Sequence, residues 1–261
     1  MLFQKIKELA PSENGLSDDL YGLQFGSVLN SEDFNLHKVI VCLDPTKQVI
    51  LEAIKQKIHL IISHHGLTHR PLLYWNDLVL DQIKLLASNN IRLFVMHTAW
   101  DAAQEGVSET YAKIAGLNIE GPYYWHEKGE RKPLGRIGVP FREGTTLGEM
   151  ADSLKRHLQL TSVHIVGDPD KVINRAVVVG GKGFKADSIT DVLNQGADTY
   201  ITGEFTYADA VAAQHLGLNL IGTSHYASEK IGMERLQQLL AVSFARDEFI
   251  FVESGDPTTI I

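Results

Sequence analysis

The stretch His59-Leu-Ile-Ile-Ser-His-His-Gly66 is the most informative segment for the fold of this 261-residue chain. Its three aliphatic residues and a serine are typical of a short buried strand, and two adjacent imidazoles, His64 and His65, follow at the strand end. Adjacent residues of an extended chain point to opposite faces, so each ring could meet a different ligand. The stretch therefore predicts a strand end that suits two metal ions side by side.

Short apolar runs alternate with longer amphipathic stretches along the rest of the chain. Continuous apolar runs such as residues 60–62 and 176–179 are typical of strands covered on both faces of a sheet. The alternation predicts an α/β protein with mostly parallel sheets. We expect strands at 38–43, 58–63, 91–96, 135–139, 162–166, 175–180, 198–202, 218–222 and 248–252, and helices at 2–9, 46–56, 78–88, 108–115, 146–158, 186–195, 206–216 and 227–241.

Residues 121–133 interrupt this alternation with glycine, proline and charged residues. Such composition is typical of a connection between domains. The chain is long enough for two small domains. We therefore predict an N-terminal α/β lobe at residues 1–127 and a C-terminal α/β lobe at 128–261, with the last elements free to pack on the first lobe.

Composition narrows the class of protein. The net charge of −8 disfavours nucleic-acid binding through a broad basic surface, because phosphate neutralisation needs clustered Lys and Arg. No apolar run reaches 18 residues, and the first residues read as an amphipathic helix, not as a signal peptide. The single cysteine, Cys42, excludes an intrachain disulfide and a cysteine-rich metal site. We expect a cytoplasmic protein without membrane contact, in which any metal ligands are histidines and carboxylates.

Two further strand ends carry side chains that can bind metals. In open parallel sheets, ligands bind at the carboxyl ends of the strands. His97 and Asp101 follow the strand predicted at 91–96, and His225 and Glu229 follow the strand predicted at 218–222. The last two are four residues apart and share one face of a helix. Three strand ends thus supply His64, His65, His97, Asp101, His225 and Glu229.

A set of this size is about what two first-row metal ions require. Without a thiolate, the plausible divalent ions are Zn, Fe, Mn, Co and Ni, and ligand softness does not choose among them. His97 could bind a metal directly or orient Asp101. Singly, a histidine at a strand end is usually a satisfied polar residue, and the pair His225 and Glu229 is usually a surface pair. The coincidence of three such features favours the metal site.

Three weaker features surround this set. His69 lies in a polar loop nearby and could contact a substrate. The glycine-rich loop 180–183, which contains Lys182, could hold a phosphate with its backbone amides, line the pocket, or simply be a tight turn. Glu204 follows another predicted strand and could act as a general acid or base, support a metal ligand, or interact with a helix dipole.

Five motifs spread along the chain resemble a known family, the GTP cyclohydrolase 1 type 2 homologs, also called Nif-three-like proteins. The motifs are Tyr21-Gly-Leu-Gln-Phe-Gly26, Ser63-His-His-Gly66, His97-Thr-Ala-Trp-Asp-Ala-Ala103, Ala197-Asp-Thr-Tyr-Ile-Thr-Gly-Glu204 and His225-Tyr-Ala-Ser-Glu229. Together they are highly specific and run nearly end to end.

The resemblance implies two similar three-layer α/β lobes with a dinuclear metal site between them. It implies that the ligands are His64, His65, Asp101, His225 and Glu229. It places His97 in or beside this set, and we expect Glu229 to bridge the two ions. Ring-shaped homohexamers with the sites facing an internal cavity are typical of the family. The short connection at 121–133 resembles the compact form, which lacks an inserted domain.

The chain departs from the family pattern in three places. Ser224 stands where the family often has glycine, residues 205–207 replace histidines that often follow Thr-Gly-Glu, and the loop 180–183 lacks a common serine. These positions belong to the surroundings of the metal ligands, so they bear on substrate choice.

We interpret the sequence as a metal-dependent hydrolase of a small nucleotide or heterocyclic substrate, similar to a GTP cyclohydrolase. In this hypothesis a metal-activated hydroxide attacks an electrophilic carbon such as C8 of a purine, and Glu204 or His97 moves protons. Two alternatives stay open. One is a metal carrier or chaperone, for iron or a similar ion, and the other is a di-iron redox enzyme.

Overall fold

Two β-sheets with helices packed around them form the fold in a computed structural model. The structure describes residues 2–27, 37–68, 76–127 and 129–258. The α/β class predicted from the sequence is confirmed. None of the helices within these ranges is long and apolar enough to cross a membrane.

The first sheet has five strands, four of them parallel. Its strands are β1 (Gly22–Phe25), β2 (Lys38–Cys42), β3 (Leu60–Ser63), β4 (Arg92–Val95) and β11 (Glu248–Phe251), in the order β1-β4-β3-β2-β11. Only β1 runs antiparallel to its neighbour. Every residue of β3 and β4 is buried, as expected for central strands covered on both faces.

The second sheet has six strands of mixed direction. Its strands are β5 (Leu117–Glu127), β6 (Glu130–Pro140), β7 (His164–Val166), β8 (Ala176–Val179), β9 (Thr199–Thr202) and β10 (Asn219–Gly222), in the order β5-β6-β8-β9-β10-β7. The central strands β8, β9 and β10 are parallel, whereas β5, β6 and β7 add antiparallel edges.

Helices connect and cover the strands. They are α1 (Leu2–Leu9), α2 (Lys47–Gln56), α3 (Asp77–Ser88), α4 (His97–Ala102), α5 (Val107–Ile114), α6 (Leu147–His157), α7 (Ile189–Asn194), α8 (Tyr207–Leu216) and α9 (His225–Ser243). Local sequence explains several helix starts. Thr146 and Thr206 form capping boxes at α6 and α8, and Ser224 caps α9 through a bond from the Ala227 amide.

The segment predicted as the connection between the lobes, 121–133, contributes to β5 and β6, which form a long antiparallel hairpin. Inward and outward residues alternate along β5, and Tyr123 and Trp125 are buried in the second core. Glycine and proline residues coincide with register shifts in this hairpin. In the sequence pattern, the same residues had suggested a break in the regular structure. The division into lobes at 127/128 stays a prediction. β5 belongs to the second sheet, and β11 returns to the first.

Helix α9 ties the two halves of the fold together. Its residues Met233, Leu236 and Leu240 lie in the core of the first sheet. Its Gly232 lies against α5, where an added Cβ would be 2.7 Å from the Val107 Cα, and its carbonyl accepts a hydrogen bond from Trp100 Nε1 at 3.0 Å. These contacts hold α9, which follows β10 of the second sheet, against the core of the first sheet.

Candidate metal centre

Three elements deliver the candidate ligands to one place between the sheets. His64 and His65 follow β3, His97 and Asp101 lie on α4 directly after β4, and His225 and Glu229 lie on the first turns of α9 after β10. Backbone bonds continue beyond the strands. The His65 amide donates to the Leu43 carbonyl at 3.0 Å, and the His97 amide donates to the His64 carbonyl at 3.1 Å. The two strand ends therefore stay in register where the ligands begin.

His97 has a backbone conformation that is uncommon outside glycine. Its φ is +26°, in the left-handed region. Such a conformation in a non-glycine residue costs about 1–3 kcal/mol and persists where the surroundings impose it. Because β4 must turn at once into α4, this strain brings the His97 ring within 5.2 Å of the His64 ring, between centroids.

His64 and His65 converge, in contrast to the expectation that they point to opposite faces. The chain bends immediately after β3, so the alternation of an extended strand no longer applies. The centroids of the two rings lie 4.8 Å apart, and both Nε2 atoms are turned toward Glu229. Two neighbouring imidazoles therefore serve one cluster.

Glu229 is the centre of this cluster. Its Oε1 lies 3.7 Å from His64 Nε2, and its Oε2 lies 3.2 Å from His65 Nε2 and 3.1 Å from His225 Nε2. Asp101 Oδ1 lies 3.6 Å from His64 Nε2. Three groups could each hold a metal ion, with ligand atoms all within 4.8 Å of one another. They are His64, His65 and His97; His65, His225 and Glu229; and His64, Asp101 and Glu229.

Two candidate ligands that follow strands of the first sheet, His65 and His97, each have a carboxylate at Nδ1. Asp44 Oδ1 lies 2.8 Å from His65 Nδ1. Asp19 bonds His97 Nδ1 with one oxygen and accepts from the Thr98 amide at 2.9 Å with the other. A carboxylate at Nδ1 fixes the tautomer and orientation of a ring that binds metal through Nε2.

Glu204 is the carboxylate at Nδ1 of His225, the candidate ligand at the start of α9. Its Oε1 lies 3.1 Å from His225 Nδ1. Glu204 therefore contacts the cluster through the His225 ring. Support of a metal ligand was one of the three roles predicted for Glu204. His64 is different, since its Nδ1 has no hydrogen-bond partner among the described residues.

The local electrostatics separate the histidines into two kinds. Burial lowers the pKa of His64 to about 4, so this ring is neutral at neutral pH. Burial would also lower the pKa of His65, but its hydrogen bond to Asp44 and the carboxylate of Glu229 raise that pKa to about 10. The carboxylates of Glu229 and Glu204 overcome burial in the same way and raise the pKa of His225 to about 9.

The carboxyl groups are shifted in opposite directions. Burial raises the pKa of Asp101 well above its ordinary value, and the charges of Glu229 and Asp19 add to this effect. Burial also opposes ionisation of Glu229, yet the imidazoles around it hold its pKa well below the usual range. Despite burial, the His97 ring and Thr98 lower the pKa of Asp19 to about 2. Such divergence within one cluster is typical of functional sites.

The residues fit a metal site on a further ground. Both ring nitrogens of His64 and Oδ1 of Asp101 are buried without a hydrogen-bond partner in the described ranges. Buried polar atoms are normally paired, because leaving one unpaired costs about 1–3 kcal/mol. Nitrogen and oxygen atoms that converge in this way are the ligands that divalent first-row metals take. The cluster could therefore hold metal ions, as the sequence analysis expected.

The glycine-rich loop lies against this cluster. An added Cβ at Gly181 would stand 1.9 Å from Glu229 Oε1 and 3.2 Å from His225 Nε2. The Gly181 amide donates to Ser228 Oγ at 3.0 Å, and its carbonyl accepts from the Gly203 and Glu204 amides. The Gly181 amide is therefore used inside the protein, and the loop lines the cluster at this residue, while its predicted phosphate contact stays a prediction. Lys182 is exposed beside it and belongs to none of the three ligand groups.

His69 lies outside the described residues, so its predicted substrate contact stays a prediction. Sequence reasoning missed Asp44 and Asp19. Asp44 follows β2, a neighbour of β3, so the strand-end rule could have found it. Asp19 precedes a strand and is brought to His97 by tertiary packing, for which the sequence holds no local signal.

Comparison with known proteins identifies similar sequences over nearly the full length. The model of the family described as Duf34/NIF3 (NGG1p interacting factor 3) matches residues 1–257. A protein of Clostridium perfringens named GTP cyclohydrolase 1 type 2 homolog is 31% identical, over 86% of this chain and 84% of that protein. One of Helicobacter pylori, named GTP cyclohydrolase 1 type 2, is 30% identical, over 88% of this chain and 86% of that protein.

Solved structures agree with these sequence matches. Staphylococcus aureus protein SA1388 superposes with a TM-score of 0.84 at 28% identity, covering 100% of this chain and 98% of that chain. A structure entitled reduced HcgD from Methanocaldococcus jannaschii superposes with a TM-score of 0.80 at 26% identity, covering 96% and 95%. The Bacillus cereus protein related to NIF3 has the same fold, with a TM-score of 0.86 at 21% identity over 100% and 98%.

Proposed function

The chain belongs to the Duf34/NIF3 family, and from this membership and the geometry of the cluster we propose that it binds two divalent metal ions and hydrolyses a small nucleotide or heterocyclic substrate. The position of Glu229 carries the proposal. Its two oxygens face different histidines, His64 on one side and His65 with His225 on the other. A carboxylate placed in this way is suited to bridge two ions, with Asp101 and His97 completing the set.

The bound ions would supply Lewis acidity and a water of lowered pKa, the two requirements for hydrolysis near neutral pH. The protein supplies orientation. Asp44, Asp19 and Glu204 hold three imidazoles by their Nδ1 atoms, which leaves Nε2 as the atom through which each ring would bind metal. Preorganised ligands of this kind lose little by reorganisation when charge develops on a substrate.

The candidate ligands differ in exposure. The His64 side chain is fully buried and that of Glu229 is 5% exposed, whereas that of His225 is 37% exposed and that of His97 is 32% exposed. A substrate would therefore reach the cluster at an exposed ligand, and the side of His225 also holds Glu204. Glu204, half exposed and bonded to His225 Nδ1, is the group best placed to receive a proton on that side.

GTP is the substrate to test first, because relatives about 30% identical to this chain carry the name GTP cyclohydrolase 1 type 2 or its homolog. Hydrolysis at C8 of the purine would release that carbon as formate. We expect metal-dependent loss of GTP with formate release by protein loaded with Zn²⁺, Mn²⁺ or, without oxygen, Fe²⁺. Glu229→Gln should abolish turnover, and Glu234→Gln, an exposed carboxyl on the same helix, should leave it unchanged.

If the fully loaded wild type turns over neither GTP nor any member of a nucleotide and amide panel, the hydrolase proposal is wrong. A metal carrier is then the better candidate. The exposure of His225 and of His97, 32% for the latter side chain, favours it, because partly exposed ligands allow exchange. A carrier should lose its ions to a mild chelator and transfer them to an apo-metalloprotein, whereas a hydrolase should keep at least one ion through turnover.

A further inference from the structure

The C-terminal segment, residues 252–258, leaves the first sheet and passes beside the metal cluster. It begins at Val252, whose amide donates to the Val41 carbonyl at 2.9 Å and so continues the pairing of β11 with β2. Beyond that point the segment has no regular secondary structure. Its position is therefore set by side-chain contacts, and two of these reach groups that hold the candidate ligands.

The first contact is made by Ser254. Its Oγ donates to Asp44 Oδ2 at 3.1 Å, while Asp44 Oδ1 lies 2.8 Å from His65 Nδ1. One carboxylate thus joins the segment to a candidate ligand. With one oxygen held by Ser254, the carboxylate cannot rotate freely about its Cβ–Cγ bond, so its other oxygen stays in line with the imidazole.

The second contact is made by Asp256. Its Oδ2 accepts from Ser224 Oγ at 3.2 Å, and Ser224 Oγ in turn accepts from the Ala227 amide at 3.3 Å as the cap of α9. The other oxygen, Oδ1, accepts from the amide and hydroxyl of Thr258, at 2.9 and 2.7 Å. Asp256 is therefore fixed by its own turn, and it holds the residue that precedes His225.

Gly255 makes the two contacts compatible. Its φ is +80°, a left-handed backbone conformation that favours glycine, between the residues that make the two contacts. An added Cβ at this position would meet no atom within 4 Å. Backbone conformation, and not lack of space, is thus the reason for glycine here.

We propose that the C-terminal segment positions two metal ligands from different sheets, with Ser254 acting on His65 through Asp44 and Asp256 acting on His225 through Ser224. The inference rests on the proposed metal site and adds residues that lie outside it. None of these side chains is needed to pair β11 with β2, because that pairing is made by the backbone. Their hydrogen bonds are instead directed at the supports of the ligands.

The test compares wild type with Ser254→Ala, Ser254→Thr, Asp256→Asn and a control, Ser243→Ala. The Ser243 hydroxyl donates to the Leu239 carbonyl within α9 at 2.8 Å and lies about 27 Å along the helix from His225. The first readout is the affinity for Zn²⁺, measured by competition with a chromophoric chelator. We expect about 5-fold weaker binding in Ser254→Ala at unchanged stoichiometry, less than the loss for a direct partner of a ligand. Ser254→Thr keeps the hydroxyl and should recover wild-type affinity.

A second readout does not depend on metal. In metal-free protein labelled with ¹⁵N-histidine, the Nδ1 proton of His65 should exchange with water faster in Ser254→Ala than in wild type or Ser243→Ala. In uniformly ¹⁵N-labelled protein, Asp256→Asn should speed exchange of the Ala227 amide, because Asp256 holds the Ser224 side chain that caps α9 through this amide. An unchanged His65 signal, or equal Zn²⁺ affinity in wild type and Ser254→Ala, would overturn the inference. A wild type that binds no Zn²⁺ would instead refute the metal proposal, and the exchange rates would still decide whether Ser254 restrains His65.

Discussion

Gly181 faces Glu229 so closely that the smallest side chain would displace the carboxylate. An added Cβ would be 1.9 Å from Oε1, far inside van der Waals contact, and the backbone φ is +58°. Glycine is therefore required here for two reasons, a left-handed backbone and a close approach. The loop 180–183 therefore packs directly against the carboxylate of Glu229.

Substitution of Gly181 by alanine should disrupt the metal centre. The methyl group would push Glu229 away from His64, His65 and His225, so we expect metal content to fall several-fold, as measured by element-resolved mass spectrometry. Gly217→Ala is the matched control, because Gly217 has a φ of +78° with no atom within 4 Å of an added Cβ. It should cost about 1–2 kcal/mol of stability and retain metal. Equal metal contents in the two variants would contradict the close approach.

Metal binding at pH 7 should release protons. The pKa values of about 10 for His65 and about 9 for His225 lie above 7, so both rings are protonated in metal-free protein. A ligand nitrogen must be neutral, so each ring loses its proton when a metal binds. His64, with a pKa of about 4, has no proton to lose.

These pKa values determine how the metal affinity changes with pH. Metal affinity should rise as pH increases from 7 toward 9, because fewer protons have to be displaced. Titration calorimetry in two buffers of different ionisation enthalpy should give about two protons released per chain at pH 7 from these rings, plus any proton that Asp101, whose pKa burial raises, gives up. Binding without proton release at this pH would show that His65 and His225 are not both ligands.

Arg136 connects the second sheet to the helix that carries Asp101. Its side chain is 7% exposed, and its Nη2 donates to the Ala102 carbonyl at 3.0 Å and the Ala103 carbonyl at 2.6 Å. Its Nε donates to Glu109 at 3.2 Å. Arg136→Met would remove these bonds while Glu109 keeps Lys113 and the Ala103 carbonyl keeps the Gly106 amide, so we expect unfolding in urea to show a loss of about 2 kcal/mol.

The control for that measurement is Arg142→Met. Arg142 pairs with Glu149 at the surface, with 67% of its side chain exposed, so its loss should change stability by less than about 1 kcal/mol. If both variants unfold at the same urea concentration as wild type, the bonds of Arg136 do not stabilise the contact between the second sheet and α4.

Much of the fold and of the ligand set could be predicted because both follow local rules. Apolar runs bounded by turns mark β3, β4 and β10, and ligands in open α/β sheets collect at the carboxyl ends of such strands. The spacing of His225 and Glu229 places them on one helical face regardless of the rest of the chain. Asp44 also lies at the carboxyl end of a strand, β2. A carboxylate at that position could have been predicted to pair with a histidine ligand at the end of the neighbouring strand β3.

The parts that could not be predicted depend on contacts distant in sequence. Asp19 reaches His97 from 78 residues away, and Ser254 reaches Asp44 from 210 residues away. The hairpin of β5 and β6 was hidden by its glycine and proline, because bulges accept residues that usually end a strand. Likewise, the bend that turns His64 and His65 to one side depends on backbone bonds to Leu43.

The central claim is that Glu229 joins the histidines of both sheets into one metal centre. Metal per chain in wild type, Glu229→Gln and Glu234→Gln, purified without added metal and then loaded with Zn²⁺, tests it most directly. We predict close to two ions per chain in wild type and Glu234→Gln, and well under one in Glu229→Gln, with all three folded by circular dichroism. Equal metal content in wild type and Glu229→Gln would contradict the account.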